Sequence, residues 1–195
     1  MTRLLIFASV VLLLAVLTMG VYLHILRQNE QARALAAADM RPISAPVAGP
    51  FSEDTLCIAV DDQLTFRVQK ANIGLPRDPA QRGREILHTL IGEYVKRPTS
   101  HELPADADVK GVFLVDGNTA VIDTNSSFAD GHRSGIFIET LTIVSLVKTL
   151  RANLPEISRV KILVDGKERE TLAGHADLQC FYDVVTVEQL LERLK

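Results

Sequence analysis

The sequence predicts an α/β fold: a single globular domain of alternating helices and β-hairpins, preceded by one transmembrane helix. Three observations carry this. An uncharged apolar run fills the N-terminus, a proline-rich stretch follows it, and beyond that strand-like runs around tight turns alternate with segments of helical spacing. The chain has 195 residues, 21 Lys and Arg against 24 Asp and Glu, and 47% apolar residues. That apolar content, with a net charge of only −3, excludes a disordered chain. Two cysteines exclude a disulfide-dense miniprotein, and the charge balance gives no reason to expect a nucleic-acid partner. The charge is uneven. Residues 1–50 hold four basic side chains (Arg3, Arg27, Arg33, Arg41) and two acidic ones (Glu30, Asp39), which leaves 17 basic and 22 acidic after residue 50.

Residues 1–27 read as a transmembrane signal-anchor. Leu4 to Leu26 is 23 residues long, 19 of them apolar and none charged. A helix of that length reaches roughly 35 Å, enough for a hydrocarbon core of about 30 Å. A cleaved signal peptide is the competing reading, but its apolar core would be shorter, and the nearest small-x-small site, Ala34-Leu35-Ala36, lies beyond the charged stretch Arg27 to Arg33. A three-residue tail before the span and a large domain after it favour an extracytoplasmic domain. Residues 28–53 read as a linker, with Pro42, Pro46, Gly49 and Pro50 stopping any helix. Residues 54–195 form the expected domain, long enough to bury its own core.

Within the domain, Leu56 to Val60 and Leu64 to Val68 read as strands around an Asp61-Asp62-Gln63 turn. Asp78 caps a helix with Pro79 in the first position and Gln81 placed to reach back. Ile86, Leu87, Leu90, Ile91, Tyr94 and Val95 then share one face, and Pro98 ends the element. Val112 to Val115 and Thr119 to Asp123 flank Asp116-Gly117-Asn118 as a hairpin. Gly135 to Leu154 is rich in β-branched residues, which prefer strands, yet it is too long for one and keeps helical spacing; it reads as a helix stopped near Pro155. Val160 to Val164, Asp165-Gly166 and Lys167 to Thr171 read as a second hairpin. Thr186-Val187-Glu188-Gln189 reads as a capping box, with Leu190, Leu191 and Leu194 facing inward. The expected packing is a two- or three-layer sandwich of helices against a mixed sheet.

Several segments resemble the GerMN domain of sporulation and spore germination proteins. They are Leu103-Pro104-Ala105-Asp106, Val121-Ile122-Asp123 with Ser126-Ser127-Phe128, Glu139 to Val147, and Val164-Asp165-Gly166 with Glu170-Thr171-Leu172-Ala173-Gly174-His175-Ala176-Asp177-Leu178. The likeness covers roughly Leu56 to Val184. It implies a membrane-anchored or lipidated protein of the bacterial envelope, non-catalytic, with the domain outside the cytoplasm and a fold like the αββ wedges of ring-building motifs. Envelope proteins or further copies of the chain are the implied partners, with peptidoglycan as a candidate and no cofactor. The motif residues carried over are Asp123, Phe128, Glu139, Asp165, Gly166, Leu172, Gly174, His175 and Asp177. No lipobox cysteine follows the apolar run, so anchoring is expected through the helix.

Catalysis finds little support in the residues. Ser126 or Ser127, His132, Glu139, His175 and Asp177 could make a hydrolytic constellation, but no Gly-x-Ser-x-Gly elbow marks an activated serine. Asn125-Ser126-Ser127 reads instead as a loop bonding its own backbone, anchored by Asp123. His175, Asp177 and Cys180 are fitting metal ligands in type, but zinc usually wants four, and no paired-ligand motif accompanies them. His175 reads as a loop residue tying Gly174 to Asp177, and Glu139 as a partner for the positive end of its helix. Gly174 is expected to supply a backbone conformation other residues avoid. Cys57 and Cys180 are either a disulfide pair or two free thiols.

Overall fold

The computed structural model of the protein describes Met19, residues 50–74 and residues 76–193. The span expected from Leu4 to Leu26 and most of the linker lie outside the described residues. Among the described residues no helix is long and apolar enough to cross a membrane.

The first hairpin is longer than its alternation suggested. Strands β1 (Phe51–Val60) and β2 (Thr65–Gly74) pair antiparallel from Phe51↔Gly74 to Val60↔Thr65. Asp61–Gln63 between them is a single 3-10 turn, and Leu64 leaves it with φ 49°. Helix α1 (Pro79–Val95) begins as expected: the Asp78 side chain accepts the Gln81 N–H at 2.9 Å. Its buried face is Ile86, Leu87, Leu90, Ile91 and Tyr94. Strands β3 (Val109–Val115) and β4 (Thr119–Thr124) form the second hairpin, with Asp116 and Gly117 both at positive φ.

Three expectations fail here. Asn125-Ser126-Ser127 is not a plain loop. Asn125 caps a short helix α2 (Ser126–Asp130), accepting the Phe128 N–H at 3.0 Å, so the anchoring role assigned to Asp123 falls to Asn125. The second half of the chain also breaks the helix-and-hairpin alternation. After helix α3 (Ile136–Asn153), strand β5 (Arg159–Val164) ends in the same positive-φ turn, Asp165-Gly166, as β3 does. No return strand follows this turn directly. β4 pairs along it in parallel, and β6 (Tyr182–Asp183) takes its other edge at Arg159 and Val160. Lys167 makes one isolated bridge to Val164 before the chain departs. Finally, helix α4 (Val184–Arg193) starts two residues before the capping box at Thr186, at Val184, whose N–H bonds the Ser158 carbonyl. The side chains of Leu190, Leu191 and Leu194 lie outside the described residues.

The result is a mixed α/β domain with two sheets where one was expected: β1-β2, and β3-β4-β5-β6. Helix α3 lies at its centre. Every residue from Leu141 to Val147 is buried, which requires cover on all sides of the helix. Its apolar side joins Ile86, Leu90, Ile122, Val160 and Ile162 in one core. Its polar stripe meets β1. Asn153 exchanges two 2.8 Å hydrogen bonds with the N–H and carbonyl of Thr55. Thr149 accepts the Cys57 N–H at 3.0 Å, and Ser145 donates to the Cys57 carbonyl at 2.6 Å. From α1, the Tyr94 hydroxyl accepts the Ala59 N–H at 2.8 Å. Side chains thus do for the free edge of β1 what a neighbouring strand would otherwise do.

Candidate functional site

The motif residues gather in two places. The larger is built on Glu139, in the first turn of α3. Its carboxylate is fully buried and accepts five hydrogen bonds. Oε1 takes the Gly135 N–H at 3.0 Å and His175 Nδ1 at 2.9 Å; Oε2 takes the N–H groups of Ala173 at 3.0 Å, His175 at 2.9 Å and Ala176 at 2.9 Å. Gly174, at φ 120°, turns the backbone so that the amides on both sides of it point at one oxygen. Burial alone would raise the Glu139 pKa. The Ala176 and Gly135 amides, with the ring and amide of His175, outweigh burial and hold it at about 2. The helix-terminus role expected for Glu139 is therefore only part of what it does: it clamps the loop that returns from β5.

The second place joins two turns. Asp123 Oδ1 accepts the Gly166 N–H at 2.7 Å, and the Asp165 N–H bonds the Thr124 carbonyl at 2.8 Å. Lys110 Nζ reaches Asp165 at 3.2 Å. Phe128 and Leu172 are fully buried core residues. Asp177 stands apart from His175: its Oδ1 accepts the Gln179 N–H at 2.7 Å, so the expected tie from His175 runs to Glu139 and not to Asp177.

Sequence reasoning overlooked a third cluster. His101 is fully buried. Its Nδ1 meets Asp61 Oδ1 at 2.6 Å and its Nε2 meets Thr142 Oγ1 at 2.9 Å. His132 Nε2 meets the same hydroxyl at 2.7 Å, and Arg133 reaches Asp61 at 3.2 Å. Burial lowers the His132 pKa, opposed by its bond to the Arg133 carbonyl. The legible signal was Thr142, Ser145, Thr149 and Asn153, polar residues at helical spacing on an otherwise apolar helix.

Neither histidine cluster is arranged as a hydrolytic relay. A triad uses one imidazole nitrogen for the acid and the other for the nucleophile. Ser134 Oγ at 3.3 Å and Glu139 at 2.9 Å both approach Nδ1 of His175. In the Asp61–His101–Thr142 series the nitrogens do alternate, but Thr142 is fully buried and its hydroxyl donates to the Ile138 carbonyl at 3.0 Å. Ser126 and Ser127 lie in α2, capped by Asn125. Glu139, ionised and saturated with donors, has no lone pair to offer a substrate or metal. Cys57 and Cys180 do not form the candidate disulfide. Cys57 is buried against α3, whereas Cys180 is exposed and donates to the Asp177 carbonyl. Burial raises the pKa of each thiol, further raised at Cys180 by Asp177.

A family model described as Germane, sporulation and spore germination, matches residues 56–170. The chain belongs to the Germane family. The resemblance to GerMN domains is thereby borne out, and Glu139 lies within the matched residues. Three solved structures are similar. A protein provisionally assigned as a lipoprotein from Clostridium perfringens has 19% identity over 72% of this chain and 92% of that one, with TM-score 0.47. The tandem GerMN domains of the sporulation protein GerM from Bacillus subtilis have 18% identity over 66% of this chain and 44% of that one, with TM-score 0.46. The first GerMN domain of the same protein has 20% identity over 65% and 92%, with TM-score 0.43. No curated protein matches the chain.

Proposed function

We propose that this Germane protein is a non-catalytic interaction module of the bacterial envelope. It is held in the cytoplasmic membrane by the helix Leu4 to Leu26 and presents its domain outside the cytoplasm to envelope proteins or further copies of itself. The complexes it serves are those of the cell wall, of sporulation or of germination. The observation that carries the non-catalytic reading is the bonding of the motif's polar side chains. Glu139, His175 and Asp123 are all engaged in holding the domain's own loops. Such a domain acts through its surfaces, and confinement to a membrane raises the effective concentration of whatever it meets there.

The exposed Cys180 gives a direct test of compartment. A membrane-impermeant maleimide applied to intact spheroplasts should label it, and the labelled chain should stay with the membrane after carbonate washing. Labelling only after lysis would overturn the orientation, and release by carbonate would overturn the anchor. Crosslinking in the same cells should capture envelope proteins or dimers of the chain; a strictly monomeric, uncrosslinked chain would overturn the assembly role.

A further inference from the structure

Between the β1-β2 hairpin and the C-terminal end of α1 lies an open cleft of about 510 Å³, within the range of small-molecule sites. Ile58, Val60 and Phe66 supply an apolar wall. Arg67, Lys96 and Arg97 bring three cationic heads to it, against the single carboxylate of Glu93. This runs against the domain as a whole, in which acidic residues outnumber basic ones by 22 to 17 after residue 50. The excess of positive charge is therefore local to the cleft.

The cations are also available. Arg67 is exposed, and its side chain makes no ion pair or hydrogen bond among the described residues. Lys96 meets Glu93 at 3.1 Å and Arg97 meets Glu102 at 3.5 Å, both with the cationic side chain mostly in solvent. Exposed pairs of this kind are worth at most about 1 kcal/mol, so an arriving anion can displace them. Ser100 adds a hydroxyl on the same rim, beside Thr99, whose own hydroxyl donates to the His101 carbonyl at 3.4 Å.

We propose that this cleft binds a small carboxylate-bearing ligand, with Arg67 and Arg97 on the carboxylate and an apolar portion against Ile58, Val60 and Phe66. A planar guanidinium suits a carboxylate through paired N–H donors. The carboxylate could be carried by an acidic sugar or by the terminus of a short peptide. The site is separate from the Glu139 clamp and does not depend on how the chain is anchored.

The test is titration of the purified full-length chain, in detergent, with N-acetylmuramate, with D-alanyl-D-alanine and with neutral N-acetylglucosamine. Calorimetry measures affinity, and amide NMR shifts locate the site. Saturable binding of at least one acidic probe, with shifts at Arg67, Thr99 and Ser100, is expected; the probe that binds identifies sugar or peptide as the source. The double variant Arg67→Gln/Arg97→Gln should weaken it at least about tenfold. Glu93→Gln should tighten it about threefold by removing the repelling charge, a gain that misfolding cannot produce. Absence of binding by both acidic probes overturns the proposal. So does equal binding of the neutral sugar, or an affinity that neither variant changes. None of these results bears on the membrane test above.

Discussion

The carboxylate of Glu139 accepts the backbone N–H of His175 at 2.9 Å, joining positions 36 residues apart across the fold. The same oxygen takes the amides of Ala173 and Ala176, so one buried side chain organises a whole loop. Replacing Glu139 by Gln keeps the shape but turns an amide group toward backbone donors. The variant should lose about 2–4 kcal/mol in urea unfolding at pH 7. Hydrogen exchange at Ala173, His175 and Ala176 should accelerate more than exchange in β4.

The same contact makes stability depend on acid. Burial opposes the Glu139 charge, but the surrounding amides and the His175 ring prevail and hold the pKa at about 2, below the ordinary 4.5. A folded-state pKa below the unfolded one means the stabilisation is complete above about pH 4.5 and is lost as pH falls toward 2. The amount at stake is about 3 kcal/mol. The gap in stability between wild type and Glu139→Gln should therefore narrow across that window. A gap independent of pH would show that the carboxylate is not the stabilising species.

His175→Ala should cost less, about 1 kcal/mol, because only the ring contacts to Glu139 and Ser134 are lost and the backbone N–H remains on Glu139. A loss equal to that of Glu139→Gln would assign the clamp to the ring and not to the amides.

Asn153→Ala leaves both the N–H and the carbonyl of Thr55 without their side-chain partner. The expected loss is about 1–3 kcal/mol, with faster exchange of the Thr55 amide. Unchanged exchange there would mean that α3 does not seal the edge of β1.

Gly174→Ala tests backbone conformation apart from space. An added Cβ would find its nearest neighbour, Ser134 Oγ, at 3.6 Å, but φ is 120°. Strain should destabilise the variant by about 1–3 kcal/mol. Gly92→Ala, inside α1 with nothing within 4 Å, should instead stabilise by about 0.5–1 kcal/mol.

Much of the fold was legible because the signals were local. The Asp78 cap, the Asp116-Gly117 turn and the helical reading of Gly135 to Leu154, observed as Ile136–Asn153, depend on neighbours within a few residues. The missed helix at Ser126 was local too. Asn125 bonds the Phe128 N–H three residues on, a geometry that serves a turn and a helix cap alike.

By itself the sequence determined the α/β class, the order of most elements, the family and the special backbone at Gly174. Only the tertiary structure decided that β5 runs parallel to β4, that no return strand follows directly on Gly166, and that Glu139 and His175 meet. An Asp-Gly turn bends the chain whether or not a strand follows, so the turn alone does not specify pairing. Likewise a carboxylate near a helix start reads as a surface charge until a loop from far along the chain covers it. Those outcomes arise from contacts between distant segments, which local patterns of side chains do not encode.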